Sequence, residues 1–421
     1  MLVRSNTYRV REVAFLFWAA LFVIFYSYAG YPLCLWFLGL FRRFPMQPSD
    51  SMASLPSVTL IVSAYNEQEV IQDKLRNCLE LDYPKEKLDI VVASDGSTDA
   101  TDAIVRSHAD HRVKIVRCEG RIGKTACLNH AVPLTTGSIV VFSDANSFYD
   151  RSALKHLAAR FADPAVGFVT GHTKYSTRDS AGDLAPVSLY ARLETWVKNL
   201  ESRIGSCVGA DGAIFAVRKE RYCPLAADDI NDLVLPLKII RQGYRGVLEQ
   251  RAFCVEKAGG SSAEEYMRQV RITSRTLKAI FDNANLLNPI KYPLFAWQLA
   301  SHKLTRLLTP FLLILLLAST FVLVLRGQGA IYGMALACQT AFYFLAASGR
   351  KLKGRSLIAK IAPLAHIFVT VNAAVLVGWI KYLRGDRYTS WTSRRAGRAS
   401  PRTAEADCAA VKTFDPPRRE P

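Results

Sequence analysis

The sequence predicts an α/β domain with a mainly parallel sheet, joined to α-helical transmembrane segments. Two observations carry this. Between residues 58 and 143, short apolar β-forming runs alternate with helical stretches, the pattern of strands joined by right-handed helical crossovers. The chain also holds long stretches without a charged residue: Val13–Phe41, Leu307–Leu325, Gly327–Gly349 and Ile361–Ile380.

Each of those stretches approaches or exceeds the roughly 20 apolar residues that span a bilayer. They are read as one N-terminal and three C-terminal transmembrane helices. The first, preceded by Arg4, Arg9 and Arg11, is longer than a signal h-region and lacks a small-x-small cleavage site, so it is read as an anchor. The expected organisation is an anchor (1–41), a linker (42–56), a central α/β domain (57–288), an interfacial amphipathic helix (289–306), three transmembrane helices (307–383) and a basic, disordered tail (384–421).

The formal net charge of +18 flanks the apolar stretches, at Arg42 and Arg43, at Arg350, Lys351, Lys353 and Arg355, and from Lys381 onward. That placement fits anionic lipid and the positive-inside pattern. With no zinc-type cysteine pair and no aromatic-basic RNA motif, nucleic acid is not an expected partner. The 9 scattered cysteines suit reduced thiols in a cytosolic domain. A cytosolic central domain with Arg350–Arg355 inside puts both termini outside by parity. The basic tail pulls the other way, which leaves its side open.

In order, Val58–Ser63 reads as the first strand. Asn66, with Glu69 three residues on, reads as the cap of a helix over Glu69–Leu79. Leu88–Ala93 is the second strand, followed by Ser94-Asp95-Gly96-Ser97-Thr98-Asp99 and a helix near Asp99–His108. Val113–Arg117 is the third strand. Arg121-Ile122-Gly123-Lys124 opens a short helix, and Ser138–Ser143 is the fourth strand.

The fourth strand delivers Asp144 and Asn146 to its C-terminal end, the sheet edge where ligands sit in open α/β folds. Two hard oxygen side chains two residues apart suit a divalent metal that carries a diphosphate. A plain β-turn is the other reading. Asp95 falls on the same edge, which favours the metal reading. Lys124 at a glycine-preceded helix start adds an ammonium and free backbone N–H groups, a natural anion site. No phosphate-binding glycine motif of the G-x-x-x-x-G-K-[ST] or G-x-G-x-x-G type is present.

Ala64-Tyr65-Asn66-Glu67, Ser94–Asp99, Arg121–Lys124 and Ser143–Asn146, in that order and spacing, resemble the nucleotide-sugar motifs of family 2 inverting glycosyltransferases. The resemblance is to the membrane-embedded branch that includes cellulose, hyaluronan and poly-N-acetylglucosamine synthases, and covers roughly residues 56–305. It implies the GT-A nucleotide-diphospho-sugar transferase fold. It also implies that Asp95 meets the nucleotide base, Tyr65 and Glu67 line the nucleoside, Lys124 lies at the diphosphate, and Asp144 with Asn146 stands for the D-x-D metal motif. Asn146 replaces an acid there and lowers the site's negative charge.

Gly209-Ala210-Asp211-Gly212-Ala213 resembles the family's acceptor loop, where small side chains let a sugar approach the backbone. A tight turn before a strand over Ala213–Val217 is the alternative. In Asp228-Asp229-Ile230-Asn231-Asp232 the resemblance makes Asp232 the general base that an inverting transfer needs. A helix-capping role is its alternative. Ser261 with Glu264, and Ser262 with Glu265, fit capping boxes for a helix through Phe281 that carries Arg268, Arg271 and Arg275. Where processive relatives have Q-x-x-R-W this chain has Arg268-Gln269-Val270-Arg271-Ile272. Arg271 keeps the arginine, a partner for the leaving diphosphate; the aromatic platform for the acceptor sugar is lost from that position, with Trp196 and Trp297 as the candidates to supply one instead. The bland reading of these arginines is a solvated helix face. His302 reads as packing or surface rather than as a ligand.

The function these readings imply is a multi-pass inner (plasma) membrane enzyme with a cytosolic catalytic domain and Mg2+ or Mn2+ as cofactor. It would transfer a sugar from a nucleotide sugar, a UDP-sugar foremost, to a growing β-linked polysaccharide. Single-sugar transfer to a lipid acceptor and a non-catalytic nucleotide-sugar-binding scaffold are the alternatives. Membrane lipids and accessory membrane subunits complete the expected partners.

Overall fold

The computed structural model describes residues 2–42, 55–176, 186–257, 262–349 and 356–389. Most of the expected linker, the Ser261 cap, Arg350–Arg355 and the tail from 390, with Cys408, lie outside the described residues.

The central domain is built on one sheet. Its strands are β1 (Val58–Ala64), β2 (Leu88–Ser94), β3 (Val113–Arg117), β4 (Ile139–Asp144), β5 (Phe148–Tyr149), β6 (Val166–Ser176), β7 (Ile214–Arg218) and β8 (Arg245–Lys257). They lie in the order β3-β2-β1-β4-β7-β6-β8-β5. From β3 to β4 every pairing is parallel. Beyond β4 the sheet is mixed: β7 runs antiparallel to both β4 and β6, β6 pairs β8 in parallel, and β5 closes the edge antiparallel. The strand–helix alternation that signals parallel pairing holds only to Asp144, so the parallel half is the half legible in sequence.

β1 is buried at every residue. Its side chains divide by strand parity. Val58, Leu60, Val62 and Ala64 face a layer with α3 (Ile71–Leu79), α4 (Thr101–Arg106) and α6 (Ala153–Ala159). Ile61 faces a second layer with α5 (Lys124–Ala131), α8 (Asn231–Arg241) and α9 (Ser262–Asp282). Helices therefore cover both faces, which is why β1 and β4 are continuous apolar runs rather than alternating ones. Truncating a fully buried residue such as Leu60 to Ala removes about 2–5 kcal/mol of stability.

Four helical segments are long and apolar enough to cross a membrane: Val10–Phe41, Pro293–Leu325, Ala330–Ser348 and Leu357–Leu383. The first joins α1 (Leu2–Phe25) to α2 (Tyr31–Phe41) through a π turn at Tyr26–Gly30. The second joins α10 (Pro293–Leu299) to α11 (Thr305–Leu325) through a π turn at Ala300–Leu304. His302, Lys303 and Arg306 at that turn all contact Glu194 of α7 (Pro186–Ile204). The polar side of this segment is thus turned onto the α/β domain. The other two are α12 (Ala330–Ser348) and α13 (Leu357–Leu383).

Leu307 at the start of α11 and Val375 near the end of α13 both join the core layer beneath α8 and α9. The Trp379 indole N–H donates to the Leu307 carbonyl at 2.8 Å. Past α13, Arg387 Nη1 lies 3.0 Å from Asp228 Oδ2. The chain leaves the domain at α11 and returns to the same domain after α13.

Candidate active site

β1 and β4 are neighbours, but the chain first runs outward to β2 and β3 before it crosses back to β4. Strand order reverses between them, and in open α/β sheets ligands bind outside the C-terminal strand ends at such a point. In register, Ser63 of β1 stands opposite Asp144 and Ala64 opposite Ser94. Asp144 is the last residue of β4, and Asp95 immediately follows β2.

The loops after β1 and β2 are stitched together. Thr98 N–H donates to Asn66 Oδ1 at 2.8 Å, Asn66 N–H to Ser97 Oγ at 3.2 Å, and Glu67 N–H to Thr101 Oγ1 at 2.8 Å. Asn66 is therefore not the expected helix cap. It sits at φ +52°, a conformation Asn tolerates, and spends its carboxamide on the neighbouring loop, so α3 begins only at Ile71. Tyr65 lies under the Arg121 guanidinium, 4.2 Å from ring centroid to carbon, an aromatic-cation contact between the loops after β1 and β3.

Asp95 is 1% exposed. It accepts the backbone N–H groups of Ile122 at 2.8 Å and Gly123 at 2.9 Å. Burial pushes its carboxyl up from the ordinary range, and those two N–H groups oppose the shift. The contact holds the loop before α5 in place. A Cβ at Gly96 (φ +68°) would lie 2.4 Å from the Gly120 carbonyl oxygen, so only glycine lets the two loops meet.

Lys124, the first residue of α5, puts its ammonium on Asp144 Oδ1. The expected diphosphate lysine and the expected metal carboxylate are therefore in direct contact. Beneath them lies Lys74 of α3, fully buried. It donates to Ser143 Oγ at 2.8 Å and to the Ser147 carbonyl, bridging the loop that carries Asp144 and Asn146. Its ammonium also lies 4.4 Å from the Tyr149 ring centroid. Sequence reasoning missed Lys74. Its signal was the apolar stripe Ile71, Lys74, Leu75, Cys78, in which a lysine occupies a core position.

Asp232, near the start of α8, is half-buried, with Oδ1 buried and without a hydrogen-bond partner among the described residues. Burial raises its carboxyl, opposed by the charges of Lys124, Lys198 and Arg275, while Asp211 adds to the rise. The glycine loop packs directly against it. Ala210 N–H donates to the Asp232 carbonyl at 2.7 Å, and a Cβ at Gly212 would meet Asp232 Oδ2 at 2.8 Å. Gly209 takes φ +83° beside Leu233. Asp211 itself accepts from Thr173 N–H at 2.9 Å and Ala213 N–H at 3.1 Å, so its carboxylate fixes the loop's shape.

On α9, Arg271 is held down in pKa first by burial and then by Arg268. Arg275, one turn further, is the arginine whose charge Asp232 feels, and it donates to the carbonyls of Asp228 and Asp229. Asp228 and Asp229 both pair with Lys278, at 3.3 and 2.8 Å. Thr125 Oγ1 donates to the Asp229 carbonyl at 2.8 Å and ties this loop to α5. Trp297, weighed in sequence as an acceptor platform, instead donates to Tyr26 Oη at 2.8 Å, at the junction with the N-terminal span.

Among the described residues no cluster of three or more His, Cys, Asp or Glu side chains could enclose a metal ion. One carboxylate and one carboxamide oxygen at a strand end nonetheless suit Mg2+ or Mn2+, which take one or two protein oxygens and complete their shell with water and phosphate. The carboxylate already carries one cation, Lys124, so the position suits positive charge.

The mixed sheet order, with the Lys124–Asp144 pair at the β1/β4 switch point and Thr125 tying α5 to the loop before Asp232, fits the GT-A fold of nucleotide-diphospho-sugar transferases. Residues 59–209 match the family model for glycosyl transferase family 2, and they are a family 2 glycosyltransferase domain. The poly-beta-1,6-N-acetyl-D-glucosamine synthase of Staphylococcus aureus (strain COL) is 27% identical over 214 residues, 49% of this chain and 52% of that protein. The same-named protein of Staphylococcus epidermidis is 26% identical over 220 residues, 51% of this chain and 53% of that one. The chain thus spans about half the length of the curated relatives it matches. Among solved structures, the mannosyltransferase PcManGT of Pyrobaculum calidifontis, in complex with GDP-Man and Mn2+, superposes with a TM-score of 0.67 at 24% identity. That likeness covers 88% of this chain and 100% of that one, and it shows the shared fold.

Proposed function

We propose that this protein is a membrane-bound inverting glycosyltransferase that moves a sugar from a nucleotide sugar, UDP-N-acetylglucosamine foremost, onto a growing β-linked glycan. The observation that carries this is the gathering of three charged side chains around the start of α5: Lys124 lies on Asp144, and the next residue, Thr125, bonds the loop that leads into Asp232.

The base of the nucleotide lies by the Tyr65–Arg121 contact, close to Glu67 and to the loop that Asp95 braces. Asp144 and Asn146 would hold Mg2+ or Mn2+, and the ion would supply positive charge at the donor diphosphate. Lys124 adds a second charge there, and Arg275 and Arg271 stand on α9. The acceptor hydroxyl approaches along Gly209–Ala213. Its oxygen bonds to the anomeric carbon while the bond to the diphosphate breaks and those electrons leave with the phosphate. The free oxygen of Asp232 takes the hydroxyl proton. Fixed charges aimed at the leaving group do much of the catalysis in such sites.

The four apolar helical segments support membrane embedding, and the cytosolic location of activated sugars supports a cytosolic domain. A second reading is non-processive transfer of one sugar, favoured by Ile272 where processive relatives carry an aromatic residue. Incubating membranes that contain the full chain with a panel of nucleotide sugars and Mn2+ tests the reading. Release of one nucleoside diphosphate with sugar incorporation supports it. Binding without release from any donor contradicts it.

A further inference from the structure

Behind the Gly209–Ala213 loop, α7 carries a buried set of charges that the proposed mechanism does not use. Glu201 and His302 are both fully buried. Glu201 Oε1 accepts from Tyr31 Oη at 2.5 Å and lies 2.7 Å from His302 Nδ1. The other ring nitrogen of His302 lies 3.0 Å from Glu194 Oε2, and Glu194 is also held by Lys303 at 3.1 Å and Arg306 at 2.8 Å. Burial alone would raise the Glu194 carboxyl, but His302, Lys303 and Arg306 hold it well below the ordinary carboxylate range. One helix is thereby clamped to both the N-terminal apolar helix and the first C-terminal one.

The second oxygen of Glu201 points the other way. It accepts the Val208 backbone N–H at 3.0 Å, one residue before Gly209. From the same helix, Lys198 donates to the Ala210 carbonyl at 3.1 Å. Ala210 in turn donates to the Asp232 carbonyl. The acceptor loop is thus pinned to α7 at two points and to Asp232 at a third. Leaving such buried groups unpartnered is costly, so the loop cannot shift without breaking a charged contact.

We propose that Glu201 is a positioning residue for the acceptor. It fixes the Gly209–Ala213 loop against Asp232 by joining Val208 to the apolar helices through Tyr31 and His302. The proposal rests on the reading of Asp232 as base and of that loop as the acceptor wall. A glutamine at 201 carries no charge and has a single acceptor oxygen, so it cannot accept from both the Val208 N–H and the Tyr31 hydroxyl.

The test uses the full chain in native membrane vesicles with radiolabelled UDP-N-acetylglucosamine and Mn2+. Sugar incorporated into membrane-bound product, total UDP released, and the affinity for UDP are measured. Glu201→Gln lowers incorporation about tenfold or more, the size of one lost hydrogen bond to a charged group. UDP affinity stays unchanged, and the ratio of UDP released to sugar incorporated rises as water replaces the misplaced acceptor. An unchanged ratio, or UDP affinity that falls in step with incorporation, overturns the proposal. Should Glu201→Gln fail to accumulate, Tyr31→Phe decides, since it removes one donor and keeps the carboxylate; an unchanged ratio there also overturns it. If the wild-type protein releases no nucleoside diphosphate from any donor, the underlying functional reading fails and this inference falls with it.

Discussion

Lys124 and Asp144 form an ion pair at the sheet's switch point, the lysine at the first turn of α5 and the aspartate at the last residue of β4. A divalent cation that binds Asp144 must share the carboxylate with the ammonium or displace it.

Asp144→Asn therefore raises the Mn2+ concentration that supports half-maximal turnover by at least about tenfold, as loss of a metal carboxylate does. EDTA stops the wild-type reaction. A metal titration of nucleoside diphosphate release checks both outcomes, and an unchanged midpoint places the metal on other groups.

Asp232→Asn removes the proton acceptor and lowers transfer by about 10²–10⁴-fold, with UDP affinity retained. Because burial raises this carboxyl, wild-type transfer climbs with pH through an apparent pKa above the ordinary aspartate value of about 3.9. The sign for stability is the reverse. A raised folded pKa contributes stability fully below the unfolded pKa and loses it as pH rises through the folded one. At neutral pH Asp232→Asn thus melts at or above the wild-type temperature. A lower melting temperature would give Asp232 a structural role instead.

Gly212→Ala tests the contact between loop and base. The new Cβ meets Asp232 Oδ2 at 2.8 Å and displaces the carboxylate. Turnover falls by about 10–100-fold, as small misplacements of reacting groups do, and UDP affinity does not change. Full activity would show that the carboxylate has room to move.

Arg387 reaches Asp228, which puts the start of the C-terminal tail beside the catalytic domain. That agrees with its basic character and predicts an even number of membrane crossings over α11 to α13, not the three expected from the sequence. In sealed vesicles, Arg384→Cys and Glu86→Cys, in a background with the other exposed cysteines replaced, react with an impermeant maleimide from the same side. Labelling from opposite sides restores three crossings.

The parallel half of the sheet was legible because each strand there is an apolar run closed by a turn motif, and Asp95, Lys124 and Asp144 stand at those closures. Asp232 and the Gly209–Ala213 loop were found through family resemblance rather than periodicity. What stayed hidden depends on contacts distant in sequence. Lys74 and Ser147 lie on separate elements, and nothing local marks a lysine as the brace of a loop. Glu194, Lys198 and Glu201 share one face of α7, a charged stripe that reads as solvated until α10 and α11 are seen to cover it. His302 was assigned to packing or surface. It is buried between two glutamates because its π turn faces α7. Arg275 stands beside Arg271 in the sequence reading, but which of them meets the Asp228–Asp229 loop is a matter of helix rotation.

The stereochemistry of the new linkage tests the central claim most directly. One base, Asp232, and one displacement at the anomeric carbon require inversion. Proton NMR of the product made from the α-linked donor that turns over should show a β-anomeric signal. An α-linked product would mean retention, which a single displacement driven by Asp232 cannot give.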